Sequence, residues 1–435
     1  MRRVFSPLDE ELKLLSGPFT PSLVESMVWL GTWMPFVPVT KGIDYFTKVT
    51  ISEPTARRKA EQAGEAYVEV QTAQVEVIER DLPESPKGPA LQLMSVDGAM
   101  VPLLHKKWGE VKTLVIGTVG QPVLRKGEWE VHTDELSYFS RMTDHEKFAR
   151  LATVEAHRRG TENALKVCAV NDGAEWEQKF VDYHRADAVR ILDWGHSAEH
   201  MAGVGRAMYG MDTPDSKEWL KRQLDELKKG DSDKVVAQLS RLRDELAGGA
   251  GQGAQADALK VVEANLEYFE KRREQIRYAE FERLGYPIGS GAVESGNKLV
   301  VEARMKGSGM HWAPQNVDPM VALRDVACSD RWEEAWPQIS GRMRQRCRER
   351  AQAQQGVRRA AKAVCQATER PVLMNVPVRP KMEALPEPAI MVSVAVKPEP
   401  KRAASSLEER AKTGPRRPAA NHPWRHMPIG RARRP

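Results

Sequence analysis

The sequence predicts an α/β fold with a central sheet, preceded by an all-helical region and interrupted by a helical insertion. Three observations carry this. Short apolar runs alternate with helical periods between Ala90 and Asp193. Two of those runs end in an acid followed by glycine, at Asp97 and at Asp172. Residues 197–281 read as almost wholly helical.

The elements follow in order. Thr20 and Pro21 suit N-cap and N1 of a first helix, with Leu23, Met27 and Leu30 recurring on one face. Val37 to Phe46 forms a second unit, and Ser52 can cap a third that opens with Arg57, Arg58 and Lys59. Helix, short turn and helix with a basic start is the pattern of a helix-turn-helix DNA reader over 1–88; a small bundle with a solvated basic face is the plainer reading. Leu91 to Asp97 is a first strand, and Glu110 to Val119 follows a hairpin. Asp144 to Arg158 is a helix with Thr143 as a possible cap. Ala164 to Val170, Glu175 to Tyr183 and Ala188 to Leu192 give strand, helix and strand, making three strands and then helix, strand, helix, strand. In the insertion, Val235, Leu239, Leu242 and Leu246 form one stripe and Leu259, Val262, Leu266, Phe269 and Ile276 another. Gly248 to Gly253 separates the two as a flexible tip, giving an insertion of two or three helices. A glycine-rich loop, Gly285 to Gly291, leads into a helix that carries Glu294.

Charge is unevenly spread. From Gly341 onward there are 22 Lys and Arg against 7 Asp and Glu, and the remainder carries 44 against 53. The last 65 residues hold 12 of the 28 prolines, so 341–435 reads as a basic, disordered tail with salt-sensitive affinity for a polyanion through Arg342, Arg344, Arg346, Arg348 and Arg350. No apolar run of 18 residues, no secretory leader and no C-x-x-C pair among the four cysteines is present, which predicts a soluble cytoplasmic protein without a cysteine-built zinc site.

In a five-stranded sheet ordered 3-2-1-4-5, Asp97 and Asp172 would end neighbouring strands, where open α/β sheets place ligands. Glu294 would join them, since the glycine loop lets the backbone approach the sheet. Three converging carboxylates can hold two Mg²⁺ or Mn²⁺ ions about 3.5–4 Å apart for phosphoryl transfer. Asp-Gly is also the commonest turn dipeptide, and a Glu at a helix start favours the dipole without any chemistry.

Longer blocks sharpen this. Ser95 to Leu103 with Trp108 to Lys112, Asn171 to Trp176 with Ile191 to His200, and Tyr286 to Ser295 running on through Lys298 to Trp312 resemble the three catalytic blocks of ISKra-type insertion-sequence transposases. The opening Arg3 to Leu12 fits as well, and the resemblance spans about residues 1–340. It implies a DDE recombinase on an RNase H-like core with a mixed five-stranded sheet. The core would occupy 89–196 and 282–340, with the insertion at 197–281. Asp97 and Asp172 would ligate both metal ions and Glu294 one. The partners would be double-stranded DNA, as inverted repeats and target, and further copies of the chain, in the nucleoid. Asp193-Trp194-Gly195-His196 is similar to the C/D-x-x-H element of Mutator-like transposases, which makes Asp193 and His196 accessory residues and Asp193 a competing second acid. Asp172 is preferred because its strand should adjoin that of Asp97. His196 has a plain reading as a buried core histidine. His196 and His200 form an H-x-x-x-H pair that lacks a third zinc ligand. Lys298, Arg304 and Lys306 would hold phosphates beside the cut, and Trp312 would stack on a base or sit in the core. Rival readings are a non-catalytic DNA-binding relative, a nuclease without strand transfer, and a small-molecule enzyme using Asp172 and Glu294 as acid and base.

Overall fold

The structure, a computed structural model, describes residues 11–368 other than 13, 16, 126, 127 and 249–253. Two compact units divide the chain, residues 1–367 and 368–435, and the fold lies in the first. The opening Arg3 to Leu12 block falls almost wholly outside the described residues, as does the glycine tip of the insertion.

Three helices come first: α1 (Pro21–Trp33), α2 (Phe36–Thr47) and α3 (Glu53–Asp81). Thr20 does cap α1, its Oγ1 accepting from Leu23 N at 3.3 Å. Ser52 does not cap α3; its hydroxyl pairs with Thr55 Oγ1 at 2.9 Å. The sheet follows, with β1 (Leu91–Pro102), β2 (Trp108–Val119), a two-stranded ribbon (Val123–Arg125 with Glu128–Glu130) and β3 (Thr133–Arg141). Then come α4 (His145–Arg158), β4 (Lys166–Asn171), α5 (Glu175–Arg185) and β5 (Val189–Leu192). The five strands lie in the order β3-β2-β1-β4-β5, antiparallel across the first three and parallel across the last three. Asp144, not Thr143, caps α4, accepting from Lys147 N at 2.8 Å.

Alternation along β1 sends its side chains to two different cores. Met94 and Val96 pack with Leu114, Phe139 and the residues of α4 and α5, among them Phe148 and Phe180. Leu93 faces the opposite way, into a core shared with the insertion, while Ala99 and Val101 pack beneath the helix after Glu294. Asp97 has the parity of Leu93 and Ala99, so it emerges where these two cores meet.

The insertion comprises α6 (Trp194–Tyr209), α7 (Pro214–Lys229), α8 (Ser232–Gly248) and α9 (Ala254–Lys271), four helices where two or three were expected. Both expected apolar stripes line its core. After α10 (Tyr278–Arg283), one helical rod runs through α11 (Gly291–Gly296), a π-helical segment (Asn297–Glu302) and α12 (Ala303–Met305). The described residues end in α13 (Val317–Cys328) and α14 (Trp332–Thr368). The disordered tail expected from 341 is therefore helical as far as Thr368. Residues 341–368 are rich in Ala, Gln and Arg and lack proline, a composition that favours helix. Arg342 and Arg346 on α14 pair with Glu69 and Glu65 of α3. The rest of the expected tail lies outside the described residues.

The N-terminal helices are not an appended module. Val24, Met27, Val39, Ala56 and Tyr67 share one core with Leu323, Val326, Trp336 and Ile339. Two buried arginines add to the join, Arg304 Nε donating to Gly31 O at 2.8 Å and Arg324 Nη1 to Thr32 O at 3.0 Å. These are the last carbonyls of α1, which carry the negative end of its dipole. Arg324 also donates to Leu299 O and Val300 O in the π-helical segment.

His184 on α5 gives the fold a pH dependence. Its Nε2–H donates to Ala149 O at 3.0 Å, its ring lies 4.5 Å from that of Phe180, and burial lowers its pKa to about 4. Below pH 6.5 the unfolded chain gains a proton there and the folded chain does not, so stability falls with falling pH and is whole above it. Acidifying from pH 7 to 5 should remove about 1–2 kcal/mol through this group, the ring's solvent-facing edge keeping it below the full linkage value. Chemical denaturation at the two pH values should show a smaller drop in His184→Gln, whose amide keeps a donor.

Candidate active site

β1 and β4 part at one end, and the parting makes the site. They pair only from Leu91↔Lys166 to Leu93↔Cys168. Beyond that, side chains span the gap: Ser95 Oγ donates to Val170 O at 2.7 Å, and Asn171 Oδ1 accepts from Val96 N at 2.8 Å. A cavity of about 220 Å³ opens past them, lined by Asp97, Asp172, Glu177, Asp193, His196 and Glu294 among others. All three acids expected from the sequence thus line one cavity, together with both accessory residues.

Asp97 does not end its strand. β1 continues to Pro102 because β2 pairs with it throughout, Asp97 opposite Thr113 and Pro102 opposite Trp108, and Asp97-Gly98 is no turn. Asp97 Oδ1 accepts from Gly98 N at 2.6 Å and Oδ2 from Asn297 Nδ2 at 2.8 Å. Burial raises its pKa, with the charges of Asp172 and Glu294 adding to the effect.

Asp172 does follow its strand directly. Its Oδ1 accepts from Ala174 N at 3.2 Å, an Asx-type turn. The insertion grips this turn by its main chain: Tyr268 OH donates to Asp172 O at 2.6 Å, and Arg272, stacked on the Tyr268 ring, donates to Gly173 O at 3.1 Å through Nε.

Glu177 was not anticipated. It is buried on α5, and donor oxygens of Asp97, Asp172 and Glu177 lie within 4.8 Å of one another. Its Oε2 accepts from Gly173 N and Ala174 N, both at 3.0 Å. Burial pushes its pKa to about 10, helped by its contact with Asp172 and that residue's charge. The only signal in the sequence was a Glu three residues past the cap position, which ordinarily reads as helix capping.

Glu294 reaches the cavity from α11 but stands outside that close trio. Ser290 Oγ donates to its Oε1 at 3.0 Å, and Lys298 Nζ lies 3.9 Å from its Oε2. Gly289 and Gly291 face open space and make no close approach, whereas Gly285, with φ +78°, lies where a Cβ would be 3.1 Å from Pro122. Gly296 also approaches closely, as a Cβ there would lie 2.8 Å from Val115 and 3.0 Å from Tyr138.

Asp193 caps α6, its Oδ2 accepting from His196 N at 2.7 Å, while its Oδ1 accepts from Ser290 N at 2.6 Å. Both oxygens thus hold main chain, and Asp193 ties the Glu294 loop to the sheet. Asn265 Nδ2 donates to Val261 O, which turns its Oδ1 towards His200 Nδ1 at 2.7 Å. His200 Nε2 is then the acceptor facing His196 Nε2 at 3.2 Å. The two histidines bond to each other rather than converging on a metal.

The basic residues divide. Arg57 and Arg58 are exposed at the start of α3, Arg57 lying 3.8 Å from Glu53 and Arg58 3.4 Å from Thr55 Oγ1. Lys59 is half-buried in a recess shared with Arg346, Cys347 and Arg350 of α14. Lys298 is exposed, and Lys306 pairs with Glu302 at 2.6 Å. Arg304 corrects the expectation: it is buried between the rings of Phe36 and Trp312 and holds Gly31 O, out of reach of any phosphate. Trp312 is part of the core, its Nε1 donating to Met305 O at 3.1 Å.

The donors at this cavity are hard carboxylate oxygens, which suit Mg²⁺ or Mn²⁺. Burial raises the pKa of Asp97 and of Glu177, the neighbouring acids add to it, and a divalent cation would offset both effects, so the residues fit such an ion. No protein-family model matches the chain, and no curated protein matches it. Among the described residues no helix is long and apolar enough to cross a membrane.

Proposed function

We propose that this protein is a DDE transposase of the ISKra type, with an RNase H-like core, that cuts the ends of an insertion sequence and joins them to target DNA. One observation carries the reading most: Asp97, Asp172 and Glu294, brought from three separate blocks of sequence, line a single cavity at the parting of β1 and β4. Asp97 and Asp172 would hold Mg²⁺ or Mn²⁺, with Glu294 completing the set for a second ion. Bound there, the ions supply charge neutralisation at the scissile phosphate and a deprotonated nucleophile, water for cutting and a 3′-OH for joining. Around them the chain's own groups orient the carboxylates. Asn297 and Gly98 N hold Asp97, the insertion fixes the Asp172 turn, Ser290 and Lys298 hold Glu294, and Asp193 braces the loop between. Arg57, Arg58 and Lys298, exposed on the surface, are the cations that can meet DNA phosphates. Joining two ends requires two copies of the chain on DNA.

The test uses purified protein with Mn²⁺ and labelled DNA carrying the inverted repeats that flank its gene. Nicking and joining at the repeat end should vanish in Asp97→Ala, Asp172→Ala and Glu294→Ala. In Asp193→Ala nicking should persist at a reduced rate, as expected of a brace. A wild type that binds the repeats and never cuts replaces this reading with a DNA-binding protein. Nicking without joining makes the protein a nuclease.

A further inference from the structure

Asn297 is the first residue of the π-helical segment, one turn beyond Glu294, and it is 5% exposed. Its amide has one end satisfied and one end bare. Nδ2 donates to Asp97 Oδ2 at 2.8 Å, whereas the buried Oδ1 has no hydrogen-bond partner in the protein. A buried amide oxygen left unpaired forfeits its hydration without a compensating hydrogen bond and so destabilises the fold. An apolar residue of the same shape would avoid that cost. The position is otherwise tightly made: Gly296 lies against Val115 and Tyr138, and Arg324 holds Leu299 O and Val300 O. A π turn is a rare departure from the α-helix that is frequent at functional sites. Here it sits directly after the third acid and delivers the amide to the first.

The bare oxygen is close to the acids. The two polar atoms of an amide are roughly 2.2 Å apart. Oδ1 therefore lies within about 5 Å of Asp97 Oδ2, given the 2.8 Å separation of the nitrogen from that oxygen. A Mg²⁺ or Mn²⁺ ion on a carboxylate keeps waters at about 2.1 Å, and each water donates at about 2.8 Å, so the distance from Asp97 allows such a water to reach Oδ1.

We propose that Asn297 is a positioning residue of the metal site, its Nδ2 fixing the Asp97 carboxylate and its Oδ1 accepting a hydrogen bond from a water bound to the ion. The inference rests on the metal-dependent reading above. It assigns a role to a residue outside the three acids and links the third-acid helix to the first acid. Partners of this kind commonly change metal affinity 10–100-fold when removed.

The test is Mn²⁺ titration by calorimetry on the full chain, without DNA, for wild type, Asn297→Leu and Asn297→Asp, with thermal unfolding of each metal-free protein. Asn297→Leu keeps the volume and removes both the donor and the bare acceptor. Its metal-free protein loses the hydrogen bond to Asp97 along with the bare oxygen, so it should melt close to wild type, and its Mn²⁺ affinity should fall about 10-fold or more. Asn297→Asp restores an oxygen acceptor and adds charge. It should melt lower without metal and gain more from Mn²⁺ than wild type does. If Asn297→Leu binds Mn²⁺ as tightly as wild type, the positioning role is overturned and the metal site stands. If wild type itself binds no Mn²⁺, the metal-dependent reading falls and takes this role with it. Should Asn297→Leu fail to fold, an Asn297→Asp protein with wild-type Mn²⁺ stabilisation overturns the role in its place.

Discussion

Under the proposed function, Asp97→Asn should melt higher than wild type in the absence of metal while losing DNA cleavage by about 10³-fold or more. The two effects have one cause. Asp97 is half-buried beside Asp172 and Glu294, and its pKa is raised first by that burial and then by the charges of those neighbours. The amide keeps an oxygen for Gly98 N and removes that charge. Where carboxylates are crowded for a cation, the protein without the cation is strained, so the neutral variant is the more stable. Thermal unfolding with and without Mn²⁺ checks both halves. Wild type should gain from Mn²⁺ and Asp97→Asn should not. A variant that melts lower than wild type and still responds to Mn²⁺ would mean that the acids are held by structure alone.

Gly64→Ala should destabilise the fold by about 3 kcal/mol, an effect on the scale of severe core overpacking. Gly64 lies mid-way along α3, where that helix crosses α13 on a face made small by Ala56, Ala60 and Ala63. A Cβ at Gly64 would lie 2.8 Å from Pro319 Cα and closer still to its carbonyl, both main-chain atoms that cannot turn aside. Gly42 on α2 is the control, as nothing lies within 4 Å of a Cβ there. Gly42→Ala should stabilise by about 0.5–1 kcal/mol through helix propensity alone. Chemical denaturation of the two variants separates crowding from propensity.

Much of the secondary structure was legible because its causes are local. Thr20-Pro21 starts a helix from its own side chains, the stripe from Val235 to Leu246 declares its buried face, and Lys166 to Asn171 is too short and apolar to be anything but a buried strand. The three acids were legible as blocks, and they do meet at one cavity. What the sequence concealed depends on distant partners. Asp97-Gly98 looks like a turn until β2 pairs past it. Arg304 looks like a surface cation, yet the carbonyl it holds belongs to Gly31, far back in the chain. Glu177 looks like a cap, and it is one, but the same carboxyl also touches Asp172. The helix beyond 341 was hidden by prolines that begin only at Pro371.

The hold of Tyr268 and Arg272 on main-chain oxygens at 172 and 173 has a consequence for reading mutants. Neither contact consults the identity of the side chain it passes. The turn should therefore keep its place when Asp172 is replaced, so under the proposed function a dead Asp172→Ala protein would report a missing ligand rather than a wandering loop. Alteration of Tyr268 does the reverse, leaving every acid in the sequence while loosening the ground on which one of them stands.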